Sequence, residues 1–279
     1  MKKIVLFIAV LFSALSVKAY DWEKVSLSGG VDVFSEYHWR GTVSSGLSAQ
    51  PWIEFYSYGF NVGAWFNAGM GSYYDDYDDN YGFIQFTPEL DLYLSYTTPD
   101  GHFTLGLTHY YYFDGPFFGV NYENIEDEDI DYAQSEISVT IFGHEEYPLE
   151  IGFNMMFGGG DYLSANWQPI KENETRYKKL FSTYIYLKYT FELDYLEVIP
   201  EIGLSPAPSM YTYYDESTGK HVGFAMNNIS CICNYTFLET DYVTMYTTAN
   251  VFFNLYDVGY KQFKYGKNCA VSLGLGIEL

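Results

Sequence analysis

Basic residues are scarce in this chain. Its 279 residues hold 14 Lys and Arg against 36 Asp and Glu, a formal net charge of -22. Phosphate contacts need clustered Lys and Arg, so a nucleic-acid surface is excluded. Charge of either sign is sparse, at 18% of residues, unlike the composition of a coiled coil. Cysteine is limited to Cys231, Cys233 and Cys269. Residues two apart on one strand do not bridge easily, and in a sequential sheet Cys269 lies two strands from that pair. The thiols are read as small apolar side chains facing lipid rather than as a disulfide framework. The five histidines show no paired zinc spacing. Beyond the amino terminus no segment is apolar enough for a transmembrane helix. What the chain has in abundance is aromatic residues, 21% of the total, within an apolar fraction of 48%, which argues against disorder.

The first 19 residues read as a secretory signal peptide. Lys2 and Lys3 give a positive start, residues 4–17 an apolar run, and Val17-Lys18-Ala19 the small residues of a cleavage site. Tyr20 stands where a lipoprotein would carry its lipidated Cys. Residues 20–279 are then expected to form one domain, exported by a bacterium.

That domain is built on period two. Between Val25 and Gly41, Val25, Leu27, Val31, Val33, Tyr37 and Trp39 alternate with Ser26, Ser28, Asp32, Glu36, His38 and Arg40. Alternation of this kind places one set of side chains on each face of a strand. The rhythm recurs at 47–56, 60–70, 84–96, 103–113, 132–142, 149–157, 180–193, 195–204, 222–235, 242–255 and 269–279, about twelve strands in all. It slips near Asn227 and Asn228, where a bulge is expected. Connections alternate too: short at 57–59, 98–101, 143–148, 193–195 and 238–241, long at 71–82, 114–131, 158–179, 205–221 and 256–267. The first connection, 41–46, is short on the long side. Strands of this length with such connections predict an all-β, antiparallel up-and-down barrel in the bacterial outer membrane. Tyr37, Trp39, Tyr111, Phe113, Tyr189, Phe191, Tyr235 and Phe237 fall near strand ends and suggest two interfacial aromatic girdles.

If the apolar face meets lipid, the other lines a lumen. The carboxylates assigned to it are Asp32, Glu36, Glu54, Glu89, Asp91, Glu136, Glu150, Glu192, Glu197, Glu201 and Glu278, against the bases Arg40 and Lys188. Acidic rings bias a pathway toward cations. The solute path is therefore assigned to Asp32, Glu36, His38, Arg40, Glu54, Glu89, Asp91, Glu136, Lys188 and Glu201. Arg40 shares a face with Glu36 and His38, and Glu54 on the next strand is its expected partner. Tyr56, Tyr93, Tyr110, Tyr112, Tyr184, Tyr186 and Tyr246 also point inward by parity.

The run from Asp32 to Gly41, followed by Gln50-Pro51 and Gly63-Ala64-Trp65, resembles the opening of the TorF-like porin family. That pattern runs strand, aromatic-Arg-Gly, a short Ser-rich turn, Pro, then Gly-x-Trp, and Trp39-Arg40-Gly41 satisfies its centre. The match covers roughly the first 50 residues after the signal peptide. The resemblance implies an outer-membrane barrel acting as a channel of undefined substrate.

Two loops are acidic. Asp76, Asp78 and Asn80 begin like a calcium loop, but Thr87 stands where its bidentate Glu belongs; Asp127 and Asp129 sit in a second acidic run. Calcium is the one cofactor these loops suggest, against the commoner solvated charge run. No His has a Ser two residues on, the pairing shared by outer-membrane phospholipases and lipid A deacylases. Gly46-Leu47-Ser48-Ala49-Gln50 lacks the last Gly of a nucleophile elbow. No catalytic residue is assigned. The readings in order are a channel for small cationic or neutral solutes, a surface barrel binding ions or partners through its acidic loops, and a barrel hydrolase. The expected partners are outer-membrane lipid, lipopolysaccharide and the barrel-assembly machinery.

Overall fold

The computed structural model describes residues 25–74, 81–113, 133–142, 148–159, 181–207, 209, 214–215, 220–221, 223–254 and 269–279. The alternating segments form β1 (Val25–Phe34), β2 (Ser48–Ser57), β3 (Phe60–Tyr74), β4 (Tyr81–Thr97), β5 (Phe103–Tyr111) and β6 (Gln134–Phe142). They continue as β7 (Leu149–Gly159), β8 (Thr183–Tyr189, resumed at Phe191–Leu193), β9 (Leu196–Ser205), β10 (Ala225–Glu239), β11 (Thr244–Phe253) and β12 (Cys269–Glu278). Each strand pairs antiparallel with its sequence neighbour, and β12 pairs with β1. The sheet is a closed twelve-stranded up-and-down barrel. Closure satisfies the backbone without leaving an edge, as a bilayer requires.

The outward face is apolar. Leu27, Ile53, Val62, Leu105, Leu107, Ile141, Ile151, Leu187, Ile202, Val271 and Leu273 are all exposed. In a soluble protein so continuous a patch would aggregate; around a barrel it is the belt that meets lipid. Tyr58, Phe60, Phe103, Phe191, Tyr195, Tyr235, Phe237 and Tyr242 ring the short-turn end, and Phe113, Phe157, Phe181, Phe224 and Phe253 the long-loop end. Cys231, Cys233 and Cys269 are free thiols. The expected bulge is present: Gly203 opposes Asn228 and Ser205 opposes Ala225, so β10 carries an extra residue at 226–227.

Two turns show how local chemistry sets the register. Tyr58 (φ 51°) and Gly59 (φ 87°) make a two-residue hairpin between β2 and β3, the left-handed pair that matches strand twist. Between β4 and β5, Thr98 Oγ1 donates to Asp100 Oδ1 at 2.5 Å and the His102 amide donates to the same oxygen at 3.3 Å. Both bonds favour the carboxylate, Thr98 most, and hold Asp100 below the ordinary aspartate range. With the folded pKa depressed, this stabilisation is present above the unfolded pKa and is lost as pH falls through the folded one. NMR titration should place the Asp100 inflection below that of a free aspartate and return it upward in Thr98→Ala. An unmoved inflection in the variant would remove Thr98 as the cause.

The first strand departs from its sequence expectation. Alternation from Val25 to Gly41 predicts one continuous strand, but the wall strand stops at Phe34. Tyr37–Trp39 pairs instead with Thr42–Ser45 in a separate two-stranded ribbon. The first connection is therefore not a short turn. Residues 36–46 leave the wall and fold back inside the barrel, while Ser35 and Leu47 still bond the neighbouring strands at Leu273 and Met70.

Candidate functional site: a hairpin folded into the lumen

Phe34 begins the departure. Its ring lies over Gly274 of β12, where any Cβ would collide with it. The chain is then tied at the base of the ribbon: Ser272 Oγ donates to the Glu36 carbonyl at 2.6 Å, and the Leu273 amide to Ser35 Oγ at 2.9 Å. At the tip, Arg40 (φ 48°) and Gly41 (φ 80°) form the turn. Asn227 Nδ2 donates to the Arg40 carbonyl at 3.2 Å and Asn254 Nδ2 to the Gly41 carbonyl at 3.0 Å. The bulge in β10 thus presents Asn227 to the hairpin tip.

Aromatic contacts seat the ribbon. Tyr37 meets Trp65 at 5.3 Å, the His38 ring stands edge-on to Phe252 at 4.7 Å, and Trp39 to Tyr110 at 5.9 Å. Trp39 completes a small core within the lumen around Tyr110, Met156 and Tyr184, with Tyr112 and Tyr186 beside it. This corrects the girdle assignment of Tyr37 and Trp39. Period two places a residue on a face but cannot tell that the chain has left the wall.

Arg40 reaches the far wall. Its Nη1 and Nη2 donate to Glu136 Oε2 and Oε1 at 2.6 and 2.8 Å, a bidentate pair. The Arg40 side chain is 10% exposed and that of Glu136 3%. The Tyr110 hydroxyl donates to Glu136 Oε1 at 3.0 Å. The guanidinium carbon lies 4.7 Å from the Trp39 ring centre and 5.0 Å from that of Tyr184, within cation–π range. The expected partner, Glu54, is corrected to Glu136: Glu54 accepts from Tyr93 instead, at 2.7 Å. The expectation placed Arg40 in a wall strand, whereas the ribbon carries it across the lumen.

Five other wall acids, Glu54 among them, each take a bond from a tyrosine hydroxyl. Tyr246 donates to Asp32 at 2.7 Å, Tyr184 to Glu201 at 2.7 Å and Tyr186 to Glu150 at 2.6 Å; Tyr112 bonds Glu89. Glycines make this possible. Tyr93, Gly63 and Glu54 lie in one row across β4, β3 and β2, as do Tyr246, Gly276 and Asp32 across β11, β12 and β1. Each ring crosses the bare glycine to reach the acid beyond. A Cβ at Gly276 would strike both the Tyr246 ring and Asp32 Oδ1. Gly276→Val is expected to break that bond and cost about 1–3 kcal/mol, read as a lower urea midpoint of the refolded barrel. An unchanged midpoint would remove the row from the stability of the fold.

The assigned solute-path residues all lie inside. Glu36 and His38 sit on the ribbon rather than the wall, 3.3 Å apart. Lys188 pairs with Glu150 at 3.0 Å. Asp91 Oδ1 is buried without a hydrogen-bond partner. Glu192, Glu197 and Glu278 are exposed at the short-turn mouth. The calcium candidates Asp76, Asp78, Asn80, Asp127 and Asp129 lie outside the described residues. Among the described residues no group of three His, Cys, Asp or Glu could hold a metal. One pairing is carried by no single strand: on the outward face, His109 of β5 and Ser135 of β6 are cross-strand neighbours with Nδ1 and Oγ 2.9 Å apart.

No family model and no curated protein matches the chain. Solved barrels resemble it in backbone trace. An outer-membrane channel from Pseudomonas putida F1 is 11% identical, covering 94% of this chain and 99% of the other at a TM-score of 0.46. The NanC porin is 10% identical over 90% and 98%, at 0.44. Outer membrane phospholipase A from Escherichia coli is 10% identical over 90% and 89%, at 0.38. None of these likenesses bears on what passes through the barrel.

Proposed function

We propose that the protein is a bacterial outer-membrane channel of the TorF-like porin kind, passing small solutes with a preference for cations. The observation that carries this is the charge of the lumen. Its two bases among the described residues, Arg40 and Lys188, are each paired with one acid. Asp32, Glu54, Glu89 and Glu201 are held by hydroxyl or amide donors rather than by cations. Such donors satisfy the carboxylates without bringing a compensating positive charge, and a lumen wall lined by acids favours passing cations. The inserted hairpin narrows the path at the long-loop end, which restricts it to small species. In this reading the chain is exported by its first 19 residues, folded by the barrel-assembly machinery, and surrounded by lipid and lipopolysaccharide.

A planar bilayer holding the refolded protein under a KCl gradient tests it. Discrete conductance steps with a cation-selective reversal potential are expected. Anion selectivity would sink the charge argument, and a folded barrel without conductance would leave a surface-binding role for the acidic loops.

A second reading has one observation in its favour. The His109–Ser135 contact is a base–nucleophile pair on the surface that faces lipid. A fluorophosphonate probe should label Ser135 if the barrel hydrolyses lipid esters. Equal labelling of wild type and Ser135→Ala would leave the contact as a hydrogen bond between strands.

A further inference from the structure

We propose that the far wall of the barrel carries a guanidinium-binding site, that Arg40 fills it as a tethered ligand, and that this occupancy latches the hairpin across the lumen. The inference rests on the channel reading. The site is built by elements remote from the hairpin. Glu136 on β6 offers both oxygens in the plane that a guanidinium fork matches. Tyr110 on β5 fixes that carboxylate through its hydroxyl. Tyr184 on β8 supplies a ring face 5.0 Å from the guanidinium carbon. Opposite Tyr110 in register lies Asp91, with its buried unpartnered oxygen. A bidentate acid, a ring face and low exposure form a recognition site for a planar cation, and a compact ammonium would satisfy only part of it.

The latch follows from where the pair sits. The tip is otherwise held by two amide hydrogen bonds and ring contacts. Charge-assisted bonds of this kind shift a docked-to-released equilibrium by a factor of about 10 to 100. A free solute bearing a guanidinium group, arriving in the lumen, competes for Glu136 with the tethered one. Because the tether gives Arg40 a high effective concentration, the competitor acts in the millimolar range or above. The hairpin is then a gate that responds to a chemical class of solute.

The test uses the refolded barrel in planar bilayers with methylguanidinium chloride as probe and methylammonium chloride as its match in charge. Three variants accompany wild type: Arg40→Ala, the charge swap Arg40→Glu with Glu136→Arg, and replacement of residues 36–45 by a Gly-Ser linker. Heat-modified mobility on gels confirms that each is folded. Arg40→Ala should raise the KCl current about tenfold, and the swap should bring it back toward wild type. Millimolar methylguanidinium should raise the wild-type current beyond methylammonium, and add no further current to Arg40→Ala. Equal currents for folded wild type and Arg40→Ala would overturn the latch while sparing the channel. Equal effects of the two probes on wild type would overturn the guanidinium site. Silence of both wild type and the hairpin replacement would instead defeat the channel reading.

Discussion

Gly41→Ala is expected to turn the Arg40–Gly41 peptide bond into a trypsin site. Two penalties act at once. Gly41 has a φ of 80°, which an L-side chain adopts only with strain. A Cβ there would also overlap the Asn227 carbonyl, a backbone group of the wall that cannot swing aside. Together these cost about 2–5 kcal/mol, a factor of about 30 to several thousand in the docked population. The hairpin tip should leave the lumen and present Arg40 to protease. Brief trypsin treatment of folded protein followed by mass spectrometry should find a new amino terminus at position 41 in the variant and little of it in wild type. Equal cleavage in both would show that the hairpin is not held inside.

Glu136→Ala should be the most damaging single change to a lumen carboxylate. It leaves the Arg40 guanidinium facing Tyr184 with its bidentate partner gone. Breaking a buried pair in this way costs about 3–5 kcal/mol. The hairpin offers an escape, because it can undock and return the charge to water. The measured loss is then capped by the free energy of undocking. Lys188 and Glu150 form the contrasting pair, with side chains 30% and 17% exposed. There Glu150→Ala, which also releases the Tyr186 hydroxyl, should cost about 1–2 kcal/mol. Urea titrations followed by tryptophan fluorescence should separate the two, Trp39 being the tryptophan carried by the hairpin. A Glu136→Ala midpoint no lower than that of Glu150→Ala would contradict the central place given to the Arg40 pair.

The wall of the barrel was legible because period two and turn length are local properties. From them came the strand number, the lipid-facing residues and the inward parity of the acids. Even the bulge at Asn227 announced itself as a break in rhythm. The hairpin did not, because Tyr37, His38, Trp39 and Arg40 keep alternating after the chain has left the wall. A hint lay in the first connection, too short for its side of the barrel, and in Trp39-Arg40-Gly41, which suits a tight left-handed turn. The Arg40–Glu136 contact spans 96 residues of sequence, and nothing local points to its partner. The tyrosine–glycine–acid rows were hidden for a similar reason. Gly63 and Gly276 mark them, but a row exists only once three strands are in register. His109 and Ser135 needed the same cross-strand register to meet.

The hairpin belongs to the first connection of the chain, yet it is bound by Asn227, Asn254, Ser272 and Leu273 from the last three strands. Those partners are synthesised last and stand in place only after β12 has met β1. The seam they share is short, running from Gly30 to Phe34 on β1, and the base of the hairpin continues it through Ser35 and Glu36. The ring must close before these tip and base bonds can form, and once formed they button the ring shut at its youngest joint.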